Sequence, residues 1–253
     1  MRTTPAVPHA WNVTPGEAIM IQKTLRDSID TRPLDRTVAG GTKGIRYIAG
    51  ADISCNRFSP IAYAGIVVLS YPDMQVVDSA CVKDDMPFPY IPGLLSFREI
   101  PALLNAWKKL KIVPDVIMVD GHGIAHPRRL GIAAHFGLMI GKPTLGCAKN
   151  MLYGAYDEPL PEAGSFSYIR DMKAEKRSGR QSEKFGEEPA GEVIGTALRT
   201  KRAVKPVFVS PGNLMSVDDA LRIAVETTRL HRLPEPTRQA HLLVNEFRLG
   251  RID

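Results

Sequence analysis

IRYIAGADIS (Ile45–Ser54), IAYAGIVVLS (Ile61–Ser70) and QVVDSACV (Gln75–Val82) follow one another near the front of the chain and decide how it folds. Each is rich in β-branched and small apolar residues and too short for a buried helix of ordinary length. Tyr71-Pro72-Asp73-Met74 between the second and third is a turn-like tetrapeptide, so consecutive antiparallel strands are expected.

Upstream, Thr14-Pro15-Gly16-Glu17 offers an N-cap, a proline at the first helical position and a capping-box glutamate. A helix with the stripe Ala18, Ile21, Leu25 and Ile29 should begin there and stop before Arg32-Pro33; residues 1–13 read as a loose arm. Downstream, Pro87–Gly93 holds too many prolines for a helix or central strand. Ser96 can start a second helix with Ile100, Leu103, Leu104, Trp107 and Leu110 on one face, although Pro101 also suits a first helical position. Val113–Val119 is a short apolar strand running into Asp120-Gly121-His122-Gly123, and Arg128–Ile140 suits a helix. Strands are expected over Pro143–Ala148, Glu192–Leu198 and Pro206–Ser210. Two helices close the chain, one capped at Ser216 and one carrying Ala240, Leu243, Val244 and Phe247 ahead of Gly250. The charged stretch 170–189 reads as a solvated excursion. Three meandering strands followed by alternating helices and strands predict an α/β fold: one domain over residues 14–253 with a mixed sheet flanked by helices on both faces.

Composition narrows the function classes. The 253 residues are 24% charged and 44% hydrophobic, which argues against disorder, and no run of about 18 uncharged apolar residues suggests a membrane span. Cys55, Cys81 and Cys147 are odd in number, far apart and without a CxxC, so neither a disulfide framework nor structural zinc is expected, and the cytoplasm fits best. A net charge of +6 favours a polyanionic partner.

Three acids stand at the ends of apolar elements: Asp52, Glu99 and Asp120. Carboxylates in such places are costly unless a cation or donors compensate them, and two or three meeting at strand ends would suit magnesium. Other roles remain open. Asp52 can serve a turn, Asp120 can bond the glycine-rich loop after it, and Glu99 can complete a capping box with Ser96. His122 and His126 are four apart, yet Gly121, Gly123 and Pro127 prevent the continuous helix that a shared zinc would need. A histidine there either holds a phosphate or metal-bound water or braces the loop. Arg128 and Arg129 are phosphate ligands or an ordinary exposed pair. Tyr90-Ile91 between Pro89 and Pro92 is either a stiffened wedge able to part stacked bases or a packed loop.

The blocks YIAGADIS, PYIPGLLSFRE, VDGHGIAHPRRLGIAAHFGL, KPTLGCAKN, VIGTALRTK, KPVFVSPGN and LHRLPEPTRQAH, in this order between Tyr47 and His241, resemble the signature blocks of the endonuclease V family. The resemblance implies an RNase H-like fold and a magnesium-dependent endonuclease, with manganese able to substitute. It implies recognition of deoxyinosine in DNA and cleavage of the second phosphodiester bond on its 3′ side, as a DNA-repair activity. By the same resemblance Asp52, Glu99 and Asp120 match the metal-binding carboxylates, and a metal role for Glu99 displaces capping. Lys149 matches the active-site lysine, His126 the histidine of the HPR segment, and Tyr90 within Pro89–Pro92 the strand-separating wedge. Gly121 and Gly123 match the backbone around the lesion base; Arg128 is counted on the substrate side from its own reading as a phosphate contact. Where the family carries histidine near the metal in its SPG block, this chain has Asn213, which cannot titrate. A monomer is expected. The alternatives are an inosine-specific ribonuclease, a nucleic-acid-binding homologue weakened in catalysis at Asn213, and a hydrolase of small phosphoesters.

Overall fold

The computed structural model describes residues 9–34, 44–55, 59–172 and 191–252. Strands β1 (Tyr47–Cys55), β2 (Ile61–Ser70) and β3 (Val76–Asp85) pair antiparallel in chain order, as their apolar runs and the turn between the last two require. The sheet continues through β4 (Val116–Val119), β5 (Thr144–Ala148), β6 (Phe166–Asp171), β7 (Glu192–Leu198) and β8 (Val207–Pro211). Its eight strands lie in the order β3-β2-β1-β4-β5-β8-β7-β6, with β4 parallel to both β1 and β5 and the other pairs antiparallel.

Successive residues of a strand point to opposite faces, and both faces here are apolar and covered. Ala49, Ala51, Ile117 and Val119 meet Ile100, Leu103 and Phe136 from helices α2 (Leu95–Lys109) and α3 (Ile132–Ile140). Their neighbours Ile48, Val116, Met118 and Leu145 face the other way, toward Ala220, Ile223 and Ala224 of α4 (Val217–Glu226). Helix α5 (Glu235–Arg248) lies across β1 and β2. It comes so close that a Cβ on Gly50 of β1 would sit 1.7 Å from the carbonyl oxygen of Pro236.

The capping box at Thr14 and Glu17 starts α1 (Pro15–Leu25), a short 3-10 turn over Arg26–Ser28 follows it, and Gly250 stands left-handed after α5. Other boundaries differ from expectation. Helix α2 begins at Leu95 without a side-chain cap, so Ser96 lies inside its first turn with an unbonded hydroxyl, Pro101 lies within the helix, and Glu99 does not form the capping box. Helix α3 begins at Ile132, after Arg128 and Arg129, because Arg129 adopts a left-handed φ of 62° and the Gly131 amide is held by the Gly123 carbonyl at 2.9 Å. Strand β6, with no counterpart in the sequence reading, takes in Arg170 and Asp171; residues 173–190 of the expected excursion lie outside the described residues. So do residues 1–8 of the expected arm, whereas His9 and Trp11 pack on Phe97 and His135. No described helix is long and apolar enough to cross a membrane.

The buried histidines carry a consequence for stability. His135 is fully buried with its Nε2 2.7 Å from His9 Nε2, and burial holds it well below its ordinary pKa. His126 is held at about 3, by burial first and then by Arg128. In the unfolded chain both protonate near 6.5, while the folded chain keeps them neutral, so stability is complete above that pH and is lost as pH falls below it. Unfolding free energy should drop by about 1.4 kcal/mol per pH unit for each of the two between pH 6.5 and 5. Urea titrations at several pH values check this; a profile for His135→Leu as steep as that of the parent would contradict His135's share.

Candidate active site at the carboxyl ends of the central strands

Because β1 and β4 are parallel and in register at Ala51 and Val119, the residues just beyond, Asp52 and Asp120, emerge side by side about 4.8 Å apart in backbone. The Asp120 amide donates to the Ala51 carbonyl at 2.9 Å, which fixes the pair. Helix α5 delivers a third group that the sequence reading did not single out. One ligand atom each from Asp52, Asp120 and His241 lie within 4.8 Å of one another. His241 Nδ1 is 2.9 Å from Asp52 Oδ2, and the Asn245 amide lies 3.2 Å from His241 Nε2. If Nε2 accepts from that amide, Nδ1 carries the proton and donates it to Asp52. The sequence signal for His241 was its place one residue past buried Ala240, at the edge of the stripe that faces β1.

Lys149, just past β5, puts Nζ 2.6 Å from Asp120 Oδ2. Glu99 on α2 lies within electrostatic reach of both aspartates, and burial, then Asp52, then Asp120 push its carboxyl up to about 8. Asp52 is pushed up to about 6 by burial and by Asp120, against the opposing pull of His241, the Ile53 amide and Lys149. Asp120 thus raises the cost of ionising both Asp52 and Glu99 at one spot, an arrangement that a bound cation would relieve.

The predicted loop is anchored at both ends. Phe88 is buried and its carbonyl accepts from Arg98 at 2.7 Å. At the other end three donors converge on the Gly93 carbonyl: Gln22 Nε2 at 3.0 Å, His126 Nε2 at 3.0 Å and Arg128 Nη2 at 2.6 Å. Between these anchors Tyr90 stands 72% exposed. His126 Nδ1 accepts from the Arg128 amide at 3.1 Å, which leaves Nε2 as the donor to Gly93. His126 and Arg128 are therefore braces beneath the loop, the second of the readings the sequence allowed for the histidine and neither of those it allowed for the arginine. Arg129 binds Asp171 and Glu192, each at 2.6 Å.

A pocket of about 410 Å³ opens between this loop and the strand ends, lined by Tyr90, Ile91, Pro92, Gly93, Asp120, Gly121, His122, Ile132, Lys149 and Leu152 among others. Gly121 faces it. Gly123 does not: it is buried, its amide donates to Ser210 Oγ at 2.8 Å and its carbonyl accepts from Gly131. A larger cavity of about 550 Å³, beside Arg129 and Tyr153, has none of the three acids in its lining.

Asn213 is not beside the carboxylates. Its backbone N–H donates to Thr144 Oγ1 at 3.0 Å and its side-chain oxygen accepts from the Asp30 backbone amide at 3.1 Å. Thr144 begins β5 and Lys149 follows its end, five residues of roughly 3.3 Å each, or about 16 Å. Strand β8 runs antiparallel to β5, so the residues after β8 are carried to the far end of the sheet. The nearby Asp219 bonds the Leu34 amide and Ser216 Oγ as part of the α4 cap.

The sequence matches the family model "Endonuclease V" over residues 23–242. An endonuclease V of Gloeobacter violaceus is 44% identical over 245 residues, covering 96% of this chain and 90% of that protein. The crystal structure of endonuclease V from Streptomyces avermitilis superposes with a TM-score of 0.80 at 34% identity, covering 98% of this chain and 99% of that one. Endonuclease V of Ciona intestinalis, solved in complex with a 24mer DNA containing an inosine followed by a ribo-adenosine, superposes with a TM-score of 0.70 at 27% identity over 94% of this chain and 98% of that one. On this evidence the chain belongs to the endonuclease V family.

Proposed function

We propose that this chain is a divalent-metal-dependent endonuclease that recognises deoxyinosine in DNA and cuts the second phosphodiester bond on its 3′ side. The observation that carries the reading is the adjacency of an acid cluster, a braced exposed tyrosine and a pocket roomy enough to admit a base. Asp52, Asp120 and Glu99 supply hard oxygen donors and His241 an imidazole, a set that suits magnesium and that manganese, more tolerant of nitrogen, also accepts. Such an ion supplies Lewis-acid polarisation of the phosphate and stabilises charge on the departing oxygen.

The chain's own groups do the rest. Asp52 holds His241 in place, and Lys149, bonded to Asp120, stands where it neutralises charge gathering on the scissile phosphate. Tyr90, stiffened by Pro89 and Pro92, enters the stack where a base leaves it. The extruded base occupies the pocket, where Ile132 and Leu152 enclose its faces and the backbone at Gly121 reads its edge. A deaminated base pairs weakly, so its extrusion costs less than that of a normal base, which contributes to selection before any contact with its edge. The remoteness of Asn213 from the acids supports catalysis over the binding-only alternative that rested on it.

Incubation of end-labelled inosine strands with the protein and magnesium tests the reading. The expected product is one nick, one nucleotide beyond the lesion, with undamaged strands intact. Equal cutting of undamaged strands, or a nick elsewhere, would overturn it. Matched substrates differing only at the 2′-hydroxyl report whether RNA is the better substrate.

A further inference from the structure

Beyond the acid cluster, the same end of the sheet carries two loops that hold cations without acids. Residues 199–206, between β7 and β8, contain Arg199, Lys201, Arg202 and Lys205 and no Asp or Glu; residues 227–234, between α4 and α5, contain Arg229, His231 and Arg232 and again no acid. The loops are stitched together by main-chain acceptors. Thr200 Oγ1 donates to the Arg232 carbonyl and Lys201 Nζ to the Leu230 carbonyl, each at 2.6 Å. Arg232 in turn donates to the carbonyls of Lys205 at 2.9 Å and Pro206 at 2.7 Å.

Arg232 also ties the pair of loops to the active site, donating to the carbonyl of Lys149 at 2.8 Å. The topology agrees, since Ala148 at the end of β5 lies opposite Phe208 and Leu198 lies opposite Val207, so the β7–β8 loop leaves the sheet at the edge from which Asp120 and Lys149 project. One to two strand spacings of about 4.8 Å put its two ends roughly 5 and 10 Å from Lys149, the farther some three base steps at about 3.4 Å each.

Among the described residues Arg199 is paired, with Glu158, whereas no carboxylate lies within ion-pair distance of Lys201, Arg202, Lys205 or Arg232. Lys201, Arg202 and Lys205 are exposed. Two of these cations, Lys201 and Arg232, are tied to main-chain carbonyls beside the exposed Arg202 and Lys205, and none is neutralised by a carboxylate among the described residues, which makes a site for an anion supplied from outside.

We propose that Lys201, Arg202, Lys205 and Arg232 form a phosphate track that grips the nucleic-acid backbone a few nucleotides from the cut. The inference rests on the nuclease reading above for its ligand, a phosphodiester chain already seated at Lys149. Contacts of this kind position the duplex and carry no sequence information, so they act equally on damaged and undamaged DNA.

The test is fluorescence anisotropy with a long inosine-containing duplex and its undamaged counterpart, in EDTA so that nothing is cut, over a series of salt concentrations. Each phosphate contact contributes about 0.9 to the slope of log affinity against log salt. Arg202→Gln/Lys205→Gln should lower that slope by about 1.8 on both duplexes, so that between about 50 and 200 mM salt the parent loses about tenfold more affinity than the variant. The difference should vanish when the duplex is trimmed to the nucleotides around the lesion, and Arg202→Lys/Lys205→Arg should restore the parent slope. Coincident slopes on the long duplexes would overturn the track even if inosine is preferred. Absence of any inosine preference, with the slopes still different, would instead uphold the track and strike at the lesion-specific reading.

Discussion

Asp120→Asn should cut metal-dependent incision of an inosine strand by about a thousandfold or more, roughly 4 kcal/mol of transition-state stabilisation, while leaving the chain folded. The amide matches the carboxylate in shape, and the backbone bond from residue 120 to the Ala51 carbonyl is independent of the side chain. What disappears is one of the two carboxylates that the parallel register of β1 and β4 sets side by side, and with it the anchor of Lys149 at 2.6 Å. Both a proposed ligand of the metal and the group that steadies the Lys149 ammonium are lost at one position. Single-turnover incision at saturating enzyme, with circular dichroism as the check on folding, measures the effect. Incision within tenfold of the parent would show that the cluster is not the catalytic centre.

Gly50→Ala should be nearly as damaging by an unrelated route. The added methyl would meet the Pro236 carbonyl oxygen at 1.7 Å and its carbon at 2.2 Å, both backbone atoms that no rotamer change can move. Helix α5 must lift from β1, and that helix carries His241. A loss of about 3 kcal/mol or more, at the upper end for an overpacked core, corresponds to a fall in Tm of roughly 6–12 °C for a chain of this size. Gly16→Ala, in α1 with nothing within 4 Å, should stabilise by about 0.5–1 kcal/mol. Calorimetry on the two variants separates close packing from a general intolerance of alanine; a Gly50→Ala protein as stable as the parent would refute the tight seat of α5.

Whatever depended on neighbours in the chain was legible in the sequence. The meander of β1 to β3, the capped start of α1 and the proline-bounded loop all follow from local pattern plus strand adjacency, whereas the meeting of Asp52 with Asp120 was implied by the family resemblance and rests on the parallel register of β1 and β4. What depended on direction across the sheet was not. Asn213 sits in a recognisable block, but an antiparallel β8 carries it away from Lys149, while His241, distant in sequence, arrives on a helix laid across β1. Arg128 reads as an exposed cation and instead turns inward to the Gly93 carbonyl. Glu99 loses its capping role because the N-cap of α2 is Leu94, two residues before Ser96. Residue type announced Asn213, Arg128 and Glu99 but not His241; only the order and direction of the elements told which way they face.

The three donors gathered on the Gly93 carbonyl give the exposed tyrosine a fixed bearing before any nucleic acid arrives. If Tyr90 is the wedge proposed above, a blade held in a rigid haft need not find its shape during the encounter, so little ordering of the protein would oppose engagement, and the slow event on the way to a lesion would be the opening of the base pair itself.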